Sequence, residues 1–338
     1  MTEMSRTIQT SKLPTRQKIE GIKQALAGQY KSLALFEPMP LPLLPSITVT
    51  GIKVETVHVF KTAMAPIRLT FMTTQPINGK NEFTVIFKTR VDLRQDQLVT
   101  QLFELMDTLL KKENMDLNLR PYKVLATNKT DGIIECVENC LTVADTIEEH
   151  SIQNFLKKYH PDNNSPYGIK PLILDNYVRS CAGYCVLTYI LGIGDRHLDN
   201  LMITREGVVF HIDFGFILGR DPRPFPPPMQ IGPALVEGMG GQNSVHFALF
   251  KRYCCTAYKI LRKSSSLIIN LVSLMIDANI EHIDQREKSI LKVQEKFNLN
   301  LSDEQANEAF QQLITDSIRI LSREISSFKG VYKNYWHS

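Results

Sequence analysis

The sequence predicts an α+β protein in two parts: an antiparallel sheet with one main helix, followed by a mostly helical region. Three observations predict it. Short β-rich runs separated by turn residues occupy residues 47–137. Helical periodicity takes over after about Asn139. One hairpin-like interruption, around Glu206-Gly207, breaks the helical part. Strands collected before helices are the pattern of an α+β fold.

Residues 1–12 have the polar composition of a disordered tail. Over Arg16–Leu35, Ile19, Ile22, Leu26 and Leu33 recur at helical spacing, and Pro38–Pro45 reads as a proline-rich linker. Residues 1–45 are therefore expected to form an extension. The first part proper, residues 46–138, opens with strands at Ile47–Thr50, Val57–Lys61, Ile67–Thr73 and Phe83–Lys88, with Asn78-Gly79 reading as a hairpin turn. Asp92–Lys112 is a helix with Leu98, Leu102, Leu105 and Leu109 on one face, and Tyr122–Thr127 and Ile133–Val137 complete the sheet. In residues 139–338, helices are expected at Ser151–Tyr159, Leu174–Leu191, Ser244–Arg262, Leu267–Ile276 and Glu304–Ser327.

Composition narrows the class. At 338 residues, 43% hydrophobic and 22% charged, the chain suits one large or two smaller globular units. A net charge of +4 favours neither nucleic acid nor a membrane as a partner of the whole surface, and no nucleic-acid partner is expected. Cys136, Cys140, Cys181, Cys185, Cys254 and Cys255 lack C-x-x-C spacing and read as reduced thiols. Met1–Gln24 is polar and mixed in charge, unlike a secretory signal. The apolar runs Cys181–Ile193 and Leu267–Ile276 are too short to span a bilayer, so a cytoplasmic protein acting at a membrane surface is expected.

The chemistry lies in residues 194–215, GDRHLDNLMITREGVVFHIDFG. Asp195, then Asn200 five residues on, then Asp213 in an Asp-Phe-Gly triplet is the constellation of phosphoryl transfer by kinases. That reaction needs hard oxygen ligands for Mg2+ or Mn2+ against the phosphates of ATP, and a group beside the attacking hydroxyl. Asn200 and Asp213 supply the oxygens. His197, whose unperturbed pKa of about 6.5 suits proton acceptance at neutral pH, and Asp195 are both candidates for the proton, and spacing does not separate them. Arg196 completes the catalytic group and reads as a brace of the loop. His211 reads as structural.

The order Asp195-Arg196-His197 is not that of the protein kinases. G-D-R-H-x-x-N with H-x-D-F-G resembles the phosphatidylinositol 3- and 4-kinases and their protein-kinase relatives, and Leu198-Asp199 and Gly219–Met229 (GRDPRPFPPPM) resemble the class III phosphatidylinositol 3-kinases. The resemblance runs from about Pro42 to Ser338. It implies a bilobal kinase-like fold and transfer of the γ-phosphoryl of ATP to the 3-hydroxyl of phosphatidylinositol, on endosomal and autophagic membranes. A phosphatidylinositol 4-kinase and a related protein serine/threonine kinase are the alternatives. The resemblance also implies a regulatory protein kinase-like subunit and an autophagy scaffold as partners, through an upstream β-sandwich and helical domain; neither is found in this sequence, so a catalytic fragment is expected.

By the same resemblance, Val85–Lys88 followed by DLRQDQ (Asp92–Gln97) is the lysine strand and next helix, with Lys88 on the ATP phosphates and Asp96 orienting it. Thr89-Arg90-Val91 departs from the family, where many relatives have a glycine and a further acid. The loop Phe60–Pro66 has no G-x-G-x-x-G, leaving Thr62 and backbone N–H groups as phosphate donors. Glu135 and Val137 would hydrogen-bond the adenine through their backbone, with Tyr122 on the inner wall of the nucleotide site. After Asp-Phe-Gly, Arg220 and Arg223 are the only cations before about Glu237, too few for a polyphosphorylated headgroup and suited to phosphatidylinositol. Ile318, Leu321, Ile325 and Phe328, then Tyr332, Tyr335 and Trp336, with basic neighbours, suit a helix that meets an anionic membrane through its last aromatic residues.

Overall fold

The computed structural model describes residues 6–7, 11, 13–62, 64–148, 150–276 and 286–332, with side chains at 275–276, 286–287 and 321–332 left out. The fold class is α+β, as expected. The chain forms two compact units: residues up to Thr100 with Tyr122–Glu138, and Gln101–Pro121 with Asn139 onward.

In the first unit, helices α1 (Thr15–Ala27) and α2 (Lys31–Ala34) precede strands β1 (Met39–Leu41), β2 (Leu44–Ile52), β3 (His58–Val59), β4 (Ile67–Ile77) and β5 (Lys80–Thr89). The start of helix α3 (Arg94–Lys112) up to Thr100, and strands β6 (Val124–Ala126) and β7 (Asp131–Glu135), follow; from Gln101 on, α3 belongs to the second unit. The sheet is antiparallel in the order β1-β2-β4-β5-β7-β6, with β3 paired to β4. The segment expected as a linker, Pro38–Pro45, is instead the β1–β2 hairpin, with Met39 opposite Val49 and Leu41 opposite Leu44. Pro40 is tolerated because β1 is an edge strand with one unpaired side, and Pro42 falls in the turn between the strands. Of the tail expected to lack order, Arg6 is fixed: it donates to Oδ2 of the fully buried Asp131 at 2.9 Å.

Alternation sorts this sheet into two faces. Ile67, Leu69, Val85 and Phe87 are buried with Ile22 and Leu26 of α1. Arg68, Thr70, Thr84, Ile86 and Lys88 therefore stand on the opposite face, where Thr70 and Thr84 hydroxyls meet at 3.3 Å. The β4–β5 turn is made by Asn78 (φ 50°) and Gly79 (φ 79°), the left-handed pair a tight hairpin requires.

The second unit centres on α6 (Pro171–Ile190), buried almost all round. Before it come β8 (Cys140–Thr142), α4 (Val143–Glu148) and α5 (Ile152–Tyr159), the last capped by the Ser151 hydroxyl, which accepts from the Asn154 N–H. After it, β9 (Leu201–Thr204) and β10 (Val209–His211) form the expected hairpin, extended by β8 into a three-stranded sheet. Helices α7 (Pro233–Gly238), α8 (Val245–Lys263), α9 (Ser265–Ile276), α10 (Arg286–Lys296) and α11 (Asp303–Tyr332) complete it. Phe103 of α3 packs edge-on to Tyr184 and to Phe214, at 5.5 and 5.4 Å. All six cysteines are free thiols. No helix among the described residues is long and apolar enough to cross a membrane.

Candidate active site

In the second unit, the loop after α6 and the strand end after β10 are tied by one side chain. Arg196 is 8% exposed, and its guanidinium donates to the carbonyls of Gly194 (2.7 Å), Ile212 (2.8 Å) and Asp213. It also lies 5.6 Å from the centre of the fully buried Phe214 ring. A planar fork with five donors fits three convergent carbonyls. Three of its donors thus tie the loop to the strand end, the geometry of a brace.

Around that brace, Asp195 adopts φ 56° and Asp213 φ 60°, left-handed backbone uncommon for residues with a side chain. Such conformations persist where the surroundings hold them and are frequent at functional sites. The Asn200 amide donates to the Asp195 carbonyl at 3.0 Å, and the Ile212 N–H donates to the Asn200 carbonyl at 3.1 Å. His197 is half exposed, with Nε2 3.9 Å from an Asp195 carboxylate oxygen and Nδ1 3.6 Å from one of Asp199. These separations exceed hydrogen-bonding distance, so the ring is held only loosely. His211 is buried and stacked at 5.0 Å on Tyr184; burial, then the neighbouring Arg196 charge, drives its pKa well below the usual value. It stays neutral and structural.

The residues fit a divalent cation by their chemistry. Because the Asn200 nitrogen is committed to a carbonyl, its oxygen is the group left to coordinate. The exposed Asp213 carboxylate accepts only a long bond, 3.3 Å from the Gly215 N–H. One carboxylate and one carboxamide oxygen, completed by phosphate and water oxygens, are the ligands a hard ion such as Mg2+ takes. Among the described residues no group of three or more His, Cys, Asp or Glu side chains is placed to hold a metal.

The segment after Asp-Phe-Gly runs back along the loop that precedes the catalytic one. Leu218 and Gly219 donate to the carbonyls of Leu191 and Gly192, and Gly194 donates to Phe216. Gly192 (φ 56°) and Gly219 (φ 78°) meet where a Cβ on Gly192 would lie 2.5 Å from the Gly219 nitrogen, so this crossing admits only glycine. Arg223, expected among the substrate cations, has another role: Nε and Nη2 grip Asp221 at 2.9 Å each, and Nη2 also donates to Gln230 at 2.7 Å. Arg220 lies 5.7 Å over the Phe216 ring. The signal for this contact in the sequence is a charged pair, Asp221 and Arg223, two residues apart in a proline-rich segment. Phe225 is 86% exposed between prolines.

In the first unit, Lys88 pairs across the sheet with Gly132, where a Cβ would lie 2.6 Å from the Leu125 carbonyl. No ion pair joins Lys88 to Asp96 among the described residues. Asp92 is fixed at this helix start: Oδ1 accepts the Arg94 N–H at 3.0 Å, and hydrogen bonds from the Arg94 side chain keep its pKa low against the effect of burial. Thr62 is exposed, and its carbonyl accepts from Ala65. Tyr122 is buried, while Glu135 is held by its backbone to Lys123 and by its carboxylate to the Lys123 N–H at 2.9 Å. Val137 follows Cys136, whose N–H donates to the Thr84 carbonyl and whose thiol pKa is pushed up to about 11 by burial. Tyr335 and Trp336 lie outside the described residues, as does the side chain of Tyr332 at the end of α11.

Comparison with known proteins gives concordant results. Residues 82–284 match the family model described as phosphatidylinositol 3- and 4-kinase. The nodule isoform of phosphatidylinositol 3-kinase from Glycine max is 49% identical over 324 residues, covering 95% of this chain and 39% of that protein. Phosphatidylinositol 3-kinase VPS34 of Arabidopsis thaliana is 48% identical over 98% of this chain and 41% of its own length, and that of Saccharomyces cerevisiae is 44% identical over 99% and 38%. The chain spans about two fifths of the length of these curated relatives.

Proposed function

The chain belongs to the phosphatidylinositol 3- and 4-kinase family, and from that premise we propose that it transfers the γ-phosphoryl of ATP to the 3-hydroxyl of phosphatidylinositol. The observation that carries the proposal is the Arg196 brace, which ties the Asp195–Asn200 loop to the Asp213 backbone. The 3-position is supported by relatives named phosphatidylinositol 3-kinases across nearly the whole chain.

In this reading the Asn200 oxygen and the Asp213 carboxylate hold Mg2+ or Mn2+, which when bound neutralises charge on the phosphates. Lys88 binds the α- and β-phosphates, Thr62 and its loop add donors, and the Glu135–Val137 backbone with Tyr122 receives the adenine. His197 contacts the attacking hydroxyl or the transferring phosphoryl, with Asp195, 3.9 Å from its Nε2, orienting it or serving as the base; His197 is exposed enough to meet a lipid headgroup. The aromatic end of the chain, Tyr332 with Tyr335 and Trp336, delivers the site to endosomal and autophagic membranes. The chain works with a regulatory kinase-like subunit and a scaffold.

The test is direct. The chain is incubated with radiolabelled ATP, Mg2+ or Mn2+, phosphatidylinositol vesicles and a peptide pool, and the labelled position is mapped. Label on the 3-position, abolished by Asp213→Ala, is the expected result. Label on the 4-position, or on peptide alone, overturns the assignment.

A further inference from the structure

We infer that Asp221 is a positioning residue for Asp195: a buried carboxylate that sets the catalytic loop from the segment beyond Asp-Phe-Gly. The inference deepens the kinase reading above and rests on it. The Asp221 side chain is 5% exposed. Its Oδ2 accepts the Asp195 N–H at 3.1 Å, the Gln230 amide at 3.2 Å and Arg223 Nη2 at 2.9 Å. Its Oδ1 accepts the Arg223 N–H and Arg223 Nε, both at 2.9 Å. A carboxylate offers about four lone-pair directions, so this one is saturated.

Three features make this more than a well-satisfied buried acid. First, the Asp195 N–H it receives belongs to a residue in left-handed backbone (φ 56°), a conformation that needs outside support. Second, the approach is close: a Cβ on Gly194 would lie 2.7 Å from Asp221 Oδ2 and 2.3 Å from the Arg220 carbonyl. A glycine is therefore required beside Asp195 for the carboxylate to reach it. Third, the opposite end of the loop is set independently, since Asn200 bonds the Asp195 carbonyl at 3.0 Å. The peptide groups on both sides of Asp195 are thus fixed, one by Asn200 and the other by Asp221. Arg223 and Gln230 hold Asp221 in turn, from either side of the proline run Pro226–Pro228. Burial raises the carboxyl pKa, but the bonds from Arg223 and from the Asp195 N–H outweigh it and keep the group ionised. Displacing a reacting group by about 1 Å costs on the order of 10²-fold in rate, so losing one of two anchors should be read mainly in turnover.

The experiment compares Asp221→Asn, Asp221→Ala and the double variant Asp221→Ala/Arg223→Ala with the unaltered chain. The double variant removes the guanidinium that the single alanine would leave uncompensated. Thermal unfolding gives the folded fraction, and kcat and KM for ATP and for phosphatidylinositol vesicles are normalised to it. Expected are a fall in kcat of about 10²-fold for Asp221→Ala and for the double variant alike, and KM values within about twofold. Asp221→Asn keeps one acceptor for the Asp195 N–H and should recover about tenfold of that loss. A folded double variant with kcat within threefold of the unaltered chain overturns the inference, as does a rise in KM at constant kcat. Failure of all three variants to fold overturns it too, assigning Asp221 to the fold alone. An unaltered chain that phosphorylates no phosphatidylinositol refutes the kinase reading instead, a result distinguishable from all of these.

Discussion

Substituting alanine for Arg196 removes a buried guanidinium that donates to three backbone carbonyls, those of Gly194, Ile212 and Asp213. Each charge-assisted bond contributes about 1.5–3 kcal/mol, and relaxation or water recovers part of the loss, so a destabilisation of about 3–5 kcal/mol is expected. For a unit of this size each kcal/mol lowers the melting temperature by about 2–4 °C, which gives a drop of about 6–20 °C. The neighbouring His197→Ala should behave in the opposite way. Its ring is half exposed, and its nearest charged partners stand at 3.6 and 3.9 Å. Its loss should change stability by less than about 0.5 kcal/mol while lowering kcat by about 10²–10⁴-fold. Differential scanning fluorimetry with steady-state kinetics on both variants reads the two effects separately. A stable Arg196→Ala refutes the brace. A His197→Ala variant with normal turnover and weakened ATP binding moves the proton to Asp195 or water.

Asp213→Ala should abolish lipid phosphorylation and leave the melting temperature within about 2 °C, because the carboxylate is exposed and makes one long hydrogen bond; turnover near normal at saturating Mg2+ would sink the metal assignment. His211 has a lowered folded pKa, so its contribution to stability is complete above about pH 6.5 and is lost as pH falls from there toward the folded value. The loss is at most about 1.4 kcal/mol per pH unit, and a His211→Phe variant still stacked on Tyr184 should show a flatter stability profile between pH 5.5 and 6.5. Phosphatidylinositol should be phosphorylated well and its 4,5-bisphosphate poorly; equal use of the two lipids contradicts the charge count of the segment after Asp-Phe-Gly. Deleting Tyr332–Ser338 should abolish activity on vesicles and preserve ATP hydrolysis without lipid, measured by sedimentation and phosphate release.

Elements with a strong local signal were legible in the sequence. Asn78-Gly79 announced its hairpin because few residues other than glycine and asparagine accept its backbone angles. Ser151 and Ser244 marked helix starts because their hydroxyls cap the following N–H groups. The Asp195, Asn200 and Asp213 constellation was legible from spacing alone. What failed depends on partners distant in sequence. Pro38–Pro45 reads as a linker until β2 and the edge of the sheet give it a ladder to join. The partners of Arg196, the carbonyls of Ile212 and Asp213, lie 16 and 17 residues away and were not legible in the sequence, although its role as a brace was expected.

The arginines after Asp-Phe-Gly carry the same lesson into substrate choice. Counting Arg220 and Arg223 as available charge overestimates what a headgroup meets, since Arg223 gives two side-chain nitrogens to Asp221 and one of them also to Gln230. A guanidinium matched to a buried carboxylate cannot turn to a phosphate without leaving that carboxylate uncompensated, a cost of about 3–5 kcal/mol. Arg220, over the Phe216 ring, keeps its charge but in an orientation set by the ring. The proline segment therefore presents less positive charge than its composition states, while exposing Phe225 as an apolar tip. Under the proposed reading, a headgroup with a single phosphodiester at a bilayer surface is the expected match for such a segment, rather than a soluble polyphosphate or an acidic peptide. The buried ion pair thus bears on the proposed selectivity by what it withholds: Arg223 is committed to Asp221, which also accepts the Asp195 N–H, so a headgroup meeting this segment would find little free positive charge.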